Sequence, residues 1–175
     1  MTATRLARPV DAAVLADLAA ATFALACPPH TTAEAVAEFL RDVLSERNFA
    51  EYLADPAKQI LIAESDGEAV GYTMLVFGEP GDPDVAAAVG IRPTVELSKC
   101  YVRAGSHGHG AAAELMAKTL EVARAGGASG AWLGVNEENG RAIRFYEKNG
   151  FAKVGRKRFL VGGRLEDDFV LERAL

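Results

Sequence analysis

The chain has 175 residues, of which 50% are hydrophobic and 25% charged, values that suit one soluble globular domain. A chain of this length buries roughly 70% of the surface that its unfolded form exposes, so it needs no disulfide or metal to hold it together. The composition excludes a disordered chain, a collagen-like repeat and a coiled coil. The formal net charge of −5 disfavours nucleic-acid binding, which usually depends on a basic surface.

The two cysteines, Cys27 and Cys100, are far apart and form no Cys-x-x-Cys pair. No zinc, redox or other metal site is therefore expected, and a reducing compartment such as the cytoplasm fits. The apolar stretch over 12–27 follows two arginines, as in a signal peptide, but Asp11 and Asp17 break it. Its leucines recur at helical spacing, so it predicts an amphipathic helix and neither a leader nor a membrane span.

The hydrophobic periodicity changes between helical and extended along the chain. Helices are predicted over 12–27, 31–44, 49–54, 111–125 and 139–148, the second opened by a capping box from Thr31 to Glu34. Strands are predicted over 4–8, 60–63, 70–76, 94–102, 131–135, 151–161 and 164–171. The segment Gly78–Pro93, rich in proline and acidic residues, predicts a mobile loop. Together these elements predict one α+β domain over 1–175, with a mixed, mostly antiparallel sheet of about seven strands flanked by helices.

A glycine-rich turn over 103–110 joins a predicted strand to a predicted helix, which is a geometry that suits a diphosphate. A P-loop is excluded, because no lysine lies between the glycine-rich turn and Lys118. The spacing Gly108-x-Gly110-x-x-Ala113 matches a dinucleotide fingerprint, but too few strand–helix units follow for that fold. Coenzyme A remains as a third ligand class, and a tight connection with glycines for packing is the alternative.

The chain resembles the GCN5-related N-acetyltransferases in two motifs. Residues 101–112 resemble the family's pyrophosphate motif, which here reads His107-x-x-Gly110-x-Ala112, with His107 where the family has Gln or Arg. Residues 132–151 resemble the later motif, a strand followed by Asn-x-x-Ala-x-x-x-Tyr-x-x-x-Gly-Phe. The resemblance implies acetyl-CoA as the acyl donor. It places cofactor contacts at Cys100, Tyr101, Val102, His107, Gly108, His109, Gly110, Ala111, Ala112, Ala113, Asn139 and Tyr146.

The resemblance also implies two catalytic residues. Tyr146 would protonate the departing thiolate, whereas without the resemblance it reads as a core aromatic. Glu96 lies where histone-acetylating members carry a general base, and its alternative is a solvated residue at the start of a strand. Many family members carry a glutamate where this chain has Gly134, so Glu96 or bulk water is the expected base.

Within the family, the chain is most similar to the spermine/spermidine acetyltransferases of the PaiA type, which implies a small-molecule amine and in particular a polyamine as acceptor. Glu34 and Glu38 are candidates for an acidic acceptor pocket, and a solvated helix face is their alternative. Peptide acetylation and acyl-CoA sensing without turnover remain the other candidate functions. No nucleic-acid or membrane partner is expected, and a homodimer is left open.

Overall fold

The fold is described from a computed structural model over residues 1–106 and 110–175, so the predicted cofactor residues His107, Gly108 and His109 lie outside the described residues. The helices are α1 Ala12–Ala26, α2 Ala33–Asp42, α3 Glu46–Ala54, α4 Pro83–Ala88, α5 Ala111–Ala125 and α6 Gly140–Lys148. The strands are β1 Thr2–Leu6, β2 Lys58–Ser65, β3 Glu68–Phe77, β4 Thr94–Val102, β5 Gly130–Asn136, β6 Ala152–Val161 and β7 Arg164–Ala174.

The strands form one sheet of seven in the order β1-β2-β3-β4-β5-β7-β6. Every neighbouring pair is antiparallel except β4 and β5, which run parallel because α5 crosses over between them. The predicted mixed, mostly antiparallel α+β sheet is therefore confirmed.

The two larger apolar cores among the described residues lie on the sheet. One joins α5 and α6 to β4 and β5, and the fully buried Met116 and Val95 belong to it. The other packs α1 to α3 on β2 and β3, with Leu15 and Leu18 of α1 against Tyr72. Each set of helices buries its apolar face against the sheet, so the sheet is the element that positions both.

The turn before α1 is fixed by hydrogen bonds to the carboxylate of Asp11. Arg5 of β1 donates to both carboxylate oxygens of Asp11, at 2.8 and 3.0 Å, and Asp11 also accepts from the backbone N–H of Arg8. The stretch Pro9–Ala26 is long and apolar enough to cross a membrane by length and composition. Leu15 and Leu18 of this stretch are nevertheless fully buried in the protein core, whereas Leu25, which the helical spacing grouped with them, is 57% exposed.

Two predictions made from local sequence are wrong. The second helix is capped by the Thr32 hydroxyl, which accepts from Ala35 N, and so begins one residue later than the proposed Thr31 capping box. The segment predicted as a mobile loop contains α4, and Val85 of this helix is buried against Trp132 and other apolar residues of the sheet. An amphipathic signal of one and a half turns is too short to be recognised in the sequence.

Candidate active site

The central feature of the site is a gap in the middle of the sheet. β4 and β5 pair at Thr94–Gly130, Val95–Ala131 and Glu96–Trp132, and then diverge. The β3–β4 register shifts at this point, leaving Ser98 as the extra residue of a bulge, which turns the rest of β4 away from β5. The facing edges of the two strands therefore present backbone donors and acceptors to the gap instead of to each other.

Two cavities open on this gap and meet there. We call the cavity beside the first turn of α5 the helix-end cavity (about 300 Å³) and the other, which contains several carboxylates, the acidic cavity (about 350 Å³). Both are lined by Ala26, Cys100, Tyr101, Asn139, Ala142 and Tyr146. The acidic cavity is further lined by residues of β4 to β7, including Glu96, Lys99, Gly134, Lys157, Glu166 and Asp168. A ligand that enters past α5 can therefore reach the carboxylates.

The N-terminus of α5 is built for close approach by an anion. Gly110 caps it with a left-handed backbone (φ +75°), which brings no side chain over the helix end. The N–H groups of Ala111, Ala112 and Ala113 belong to the first turn and have no acceptor within the helix. Ala112 also lines the helix-end cavity. Free amides and the positive end of the helix dipole together suit a phosphate.

Tyr146 lies at the junction of the two cavities. Asn139 caps α6 by accepting from Ala142 N at 3.1 Å, which fixes the helix start, and Tyr146 follows two turns later beside Phe145 and Phe151. Burial raises the pKa of Tyr146 well above its usual value, so its phenol carries a proton at neutral pH. Burial also raises the pKa of Cys100 to about 12, so this thiol is a poor nucleophile.

Charged side chains converge in the acidic cavity. Burial raises the pKa of Glu96, while Lys157 and Lys99 oppose the shift. Burial lowers the pKa of Lys99 to about 8 and raises that of Asp168 to about 6. Glu166 accepts a 2.6 Å hydrogen bond from His30 of the α1–α2 connection. The ligand atoms of His30, Glu166 and Glu138 lie within 4.8 Å of one another, and hydrogen bonding accounts for the short His30 contact without a metal.

The predicted site residues divide into three groups. The structure brings Glu96, Cys100, Tyr101, Asn139 and Tyr146 together around the gap, with Val102 and Ala112 in the helix-end cavity. Glu34 and Glu38 do not reach the acidic cavity, because they lie exposed on the outer side of α2. Phe39, on the inner side of that helix, and Val43, the residue that follows the helix, line the cavity instead.

Four charged residues of the acidic cavity were missed by the sequence analysis: Lys99, Lys157, Glu166 and Asp168. A signal for part of this set is present in the closing hairpin. Counting outward from the two-residue turn Gly162–Gly163 places Lys157 opposite Asp168, as the structure shows. The hairpin sequence does not predict that β7 pairs with β5, because that pairing is a long-range contact.

The comparisons with known proteins agree with this geometry. The profile described as Acetyltransferase (GNAT) family matches residues 21–151. An uncharacterized N-acetyltransferase of Mycobacterium tuberculosis is 48% identical over 165 residues, which cover 94% of this chain and 98% of the relative. A further uncharacterized N-acetyltransferase, from Lactobacillus delbrueckii subsp. lactis, is 29% identical and covers 88% of this chain and 86% of its own length.

Solved structures share the fold at low identity. The PaiA N-acetyltransferase of Thermoplasma acidophilum, determined in complex with coenzyme A, superposes with a TM-score of 0.78 at 17% identity, covering 100% of this chain and 99% of its own. A GCN5-related N-acetyltransferase of Rhodopseudomonas palustris gives 0.74 at 21% identity, with 100% and 96% covered. With a gapped sheet, a phosphate-suited helix end and an extensive family match, the chain belongs to the acetyltransferase (GNAT) family and is an N-acetyltransferase.

Proposed function

We propose that this N-acetyltransferase transfers the acetyl group of acetyl-CoA to a primary amine of a small cationic molecule, a polyamine in the first instance, with both substrates bound together. The observation that carries the proposal is the meeting of the two cavities at Cys100 and Tyr146. One cavity begins at a phosphate-suited helix end and the other contains the carboxylates. Direct transfer between two bound substrates needs this arrangement.

The helix-end cavity fits the donor. The backbone N–H groups at Gly110 to Ala113 would hold the diphosphate, and His107, Gly108 and His109 are proposed cofactor contacts from the resemblance alone. The unpaired edge of β4 over Cys100 to Val102 would bind the pantetheine arm as a neighbouring strand would, and Asn139 would contact it from α6. The fold shared with a PaiA N-acetyltransferase bound to coenzyme A supports this assignment.

The residues at the junction suit two proton transfers, one from the acceptor's ammonium and one to the departing thiolate. Glu96 takes a proton from the acceptor's ammonium, directly or through water, and its raised pKa makes it a better base than an exposed glutamate. The neutral amine attacks the thioester carbonyl, and backbone N–H groups near Cys100 to Val102 stabilise the oxyanion. As the C–S bond breaks, the Tyr146 phenol gives its proton to the departing thiolate. The second proton of the attacking nitrogen then passes, directly or through water, to the Tyr146 phenolate, which restores the phenol.

The choice of a cationic acceptor rests on charge. Three carboxylates, Glu96, Glu166 and Asp168, line the acidic cavity against two lysines, Lys99 and Lys157. This excess of one carboxylate favours a positive group over a neutral one. The shared fold with a protein named PaiA N-acetyltransferase supports the same choice. The cytoplasm is the proposed location, since Cys27 and Cys100 are both free thiols.

The test is release of the coenzyme A thiol from acetyl-CoA by the purified chain in the presence of an amine panel. The panel contains spermidine, spermine, 1,4-diaminobutane, an aromatic amine and a lysine-containing peptide. We expect release with the aliphatic polyamines and little with the peptide. Release with the peptide alone would replace the proposal by protein acetylation. Binding of acetyl-CoA without release for any amine would replace it by a sensing role.

A further inference from the structure

Asp168 is a buried carboxylate whose hydrogen-bonding needs are not met inside the protein. Its residue is 6% exposed, it lines the acidic cavity, and its Oδ1 atom is buried with no partner among the described residues. Its Oδ2 atom lies 3.8 Å from Lys157 Nζ, too far for a hydrogen bond. Glu166 on the same face of β7 differs, because His30 binds it at 2.6 Å.

A buried carboxylate without partners is costly, and its cost is recovered when a ligand supplies the missing donors. Asp168 is therefore a candidate ligand-binding group, and an ammonium with three N–H donors is the ligand that it lacks.

Lys157 occupies the space in front of this carboxylate. It reaches across from β6 over Gly134, where a Cβ atom would overlap Lys157 Cε and would lie 3.2 Å from Nζ and 3.4 Å from Asp168 Oδ2. Lys157 and Glu96 line the same cavity, and the lysine's charge opposes the rise in the Glu96 pKa that burial causes. The terminal CH2–NH3+ group of Lys157 thus lies beside Asp168 without a close hydrogen bond to it, in the cavity that Glu96 also lines.

We propose that Asp168 and Glu96 form an ammonium-binding site for the acceptor, in which Lys157 is an internal occupant that the acceptor displaces. The inference rests on the proposed amine acceptor and refines its chemical class. Because the occupant is an unbranched aminoalkyl chain, the site selects acceptors that end in CH2–NH3+ over aromatic amines and α-amino groups. Asp168 binds the amine in this scheme, while Glu96 remains the proton acceptor.

The test measures binding of 1,4-diaminobutane to the full chain saturated with coenzyme A, by calorimetry. Asp168→Asn should weaken this binding about tenfold or more, because one charged acceptor of the ammonium is lost. Lys157→Met should strengthen binding by about threefold to tenfold, because the site no longer has to be vacated. A structural role for Lys157 predicts the opposite sign. Asp167→Asn, an exposed neighbour, and Lys118→Met, an exposed lysine of α5, are the matched controls and should bind as the wild type does.

Each outcome decides the matter. Unchanged affinity in Asp168→Asn, weaker binding in Lys157→Met, or no binding of the diamine to the wild type would each overturn the inference. If the wild type still releases thiol with amines, the proposed function stands while the inference fails. If no amine of the panel is acetylated, the proposed function itself fails. Unfolding curves for both variants establish that the folded chain is being compared.

Discussion

Tyr146 is the side chain whose chemistry can be isolated by the smallest change. Replacing it with Phe removes the phenolic proton and keeps the ring beside Phe145 and Phe151. General acid catalysis contributes roughly 10²–10⁴ in rate, so kcat should fall by about that factor while coenzyme A affinity stays the same. Steady-state kinetics and coenzyme A titration measure the two quantities.

The matched control is Tyr72→Phe. Tyr72 is fully buried, its hydroxyl has no hydrogen-bond partner among the described residues, and it lines neither cavity described above. Its loss should leave kcat unchanged. An undiminished kcat in Tyr146→Phe would remove this residue from the mechanism.

Asp168 should make the free energy of unfolding depend on pH. Its pKa is about 6 in the folded chain and near 3.9 in an unfolded one, so the folded state binds more protons between these values. Stability attributable to this group therefore falls as pH rises from about 4 to 6 and is constant above. The difference in stability between Asp168→Asn and the wild type should become more favourable to the variant by on the order of 2–3 kcal/mol between pH 4 and pH 8. Denaturant unfolding at both pH values, with Asp167→Asn alongside, checks this, and a difference that is independent of pH would contradict it.

Among the secondary-structure elements, the α4 segment depends on one distant carboxylate. Glu172 of β7 accepts from Gly90 N at 3.1 and 3.0 Å and from Ile91 N at 3.0 Å, just after α4. Glu172→Ala leaves two backbone donors without this partner, and we expect the free energy of unfolding to fall by about 2–4 kcal/mol. Denaturant titration measures the loss, and Glu68→Ala on the exposed start of β3 is the control. A loss no larger than that of the control would mean that water replaces the carboxylate.

The same segment shows where prediction from the sequence stops. The long helices and the strand alternation were predictable, because periodicity over ten or more residues reports which side is buried. The anchor of the α4 segment was not, because Glu172 lies 82 residues from Gly90. The two motifs that resemble the family's were recognisable in the sequence because they are local. The acidic cavity was not, since its carboxylates come from β4 and β7 and meet only when β5 lies between them.

Glu34 and Glu38 illustrate the same limit within one helix. The sequence places both glutamates on one face of the helix. Periodicity alone did not show that Phe39, on the other face, would border the cavity. The acidic residues of the sequence therefore predicted an acidic pocket, but the glutamates assigned to it do not line it.

For the molecule as a whole, the junction of the two cavities determines the kinetic order. In the proposed mechanism both substrates are bound at once, and the Cys100 thiol beside Tyr146 is kept protonated by burial. Initial rates with varied acetyl-CoA and amine should therefore give intersecting reciprocal plots, and Cys100→Ser should retain most of the wild-type kcat. Parallel plots, together with an acetylated Cys100 peptide in the mass spectrum, would indicate an acyl-enzyme instead.

The short paired stretch between β4 and β5 also affects the resistance of the protein to degradation. Among the described residues, the ladder between β4 and β5 has only three residue pairs, so a pantetheine chain bound between these strands would add a further connection between the two halves of the sheet. Ligand present at a hundred times its dissociation constant adds about 2.7 kcal/mol to the folded state. Proteolysis of this enzyme would then be slower in a cell rich in acetyl-CoA and faster in a cell depleted of acetyl-CoA.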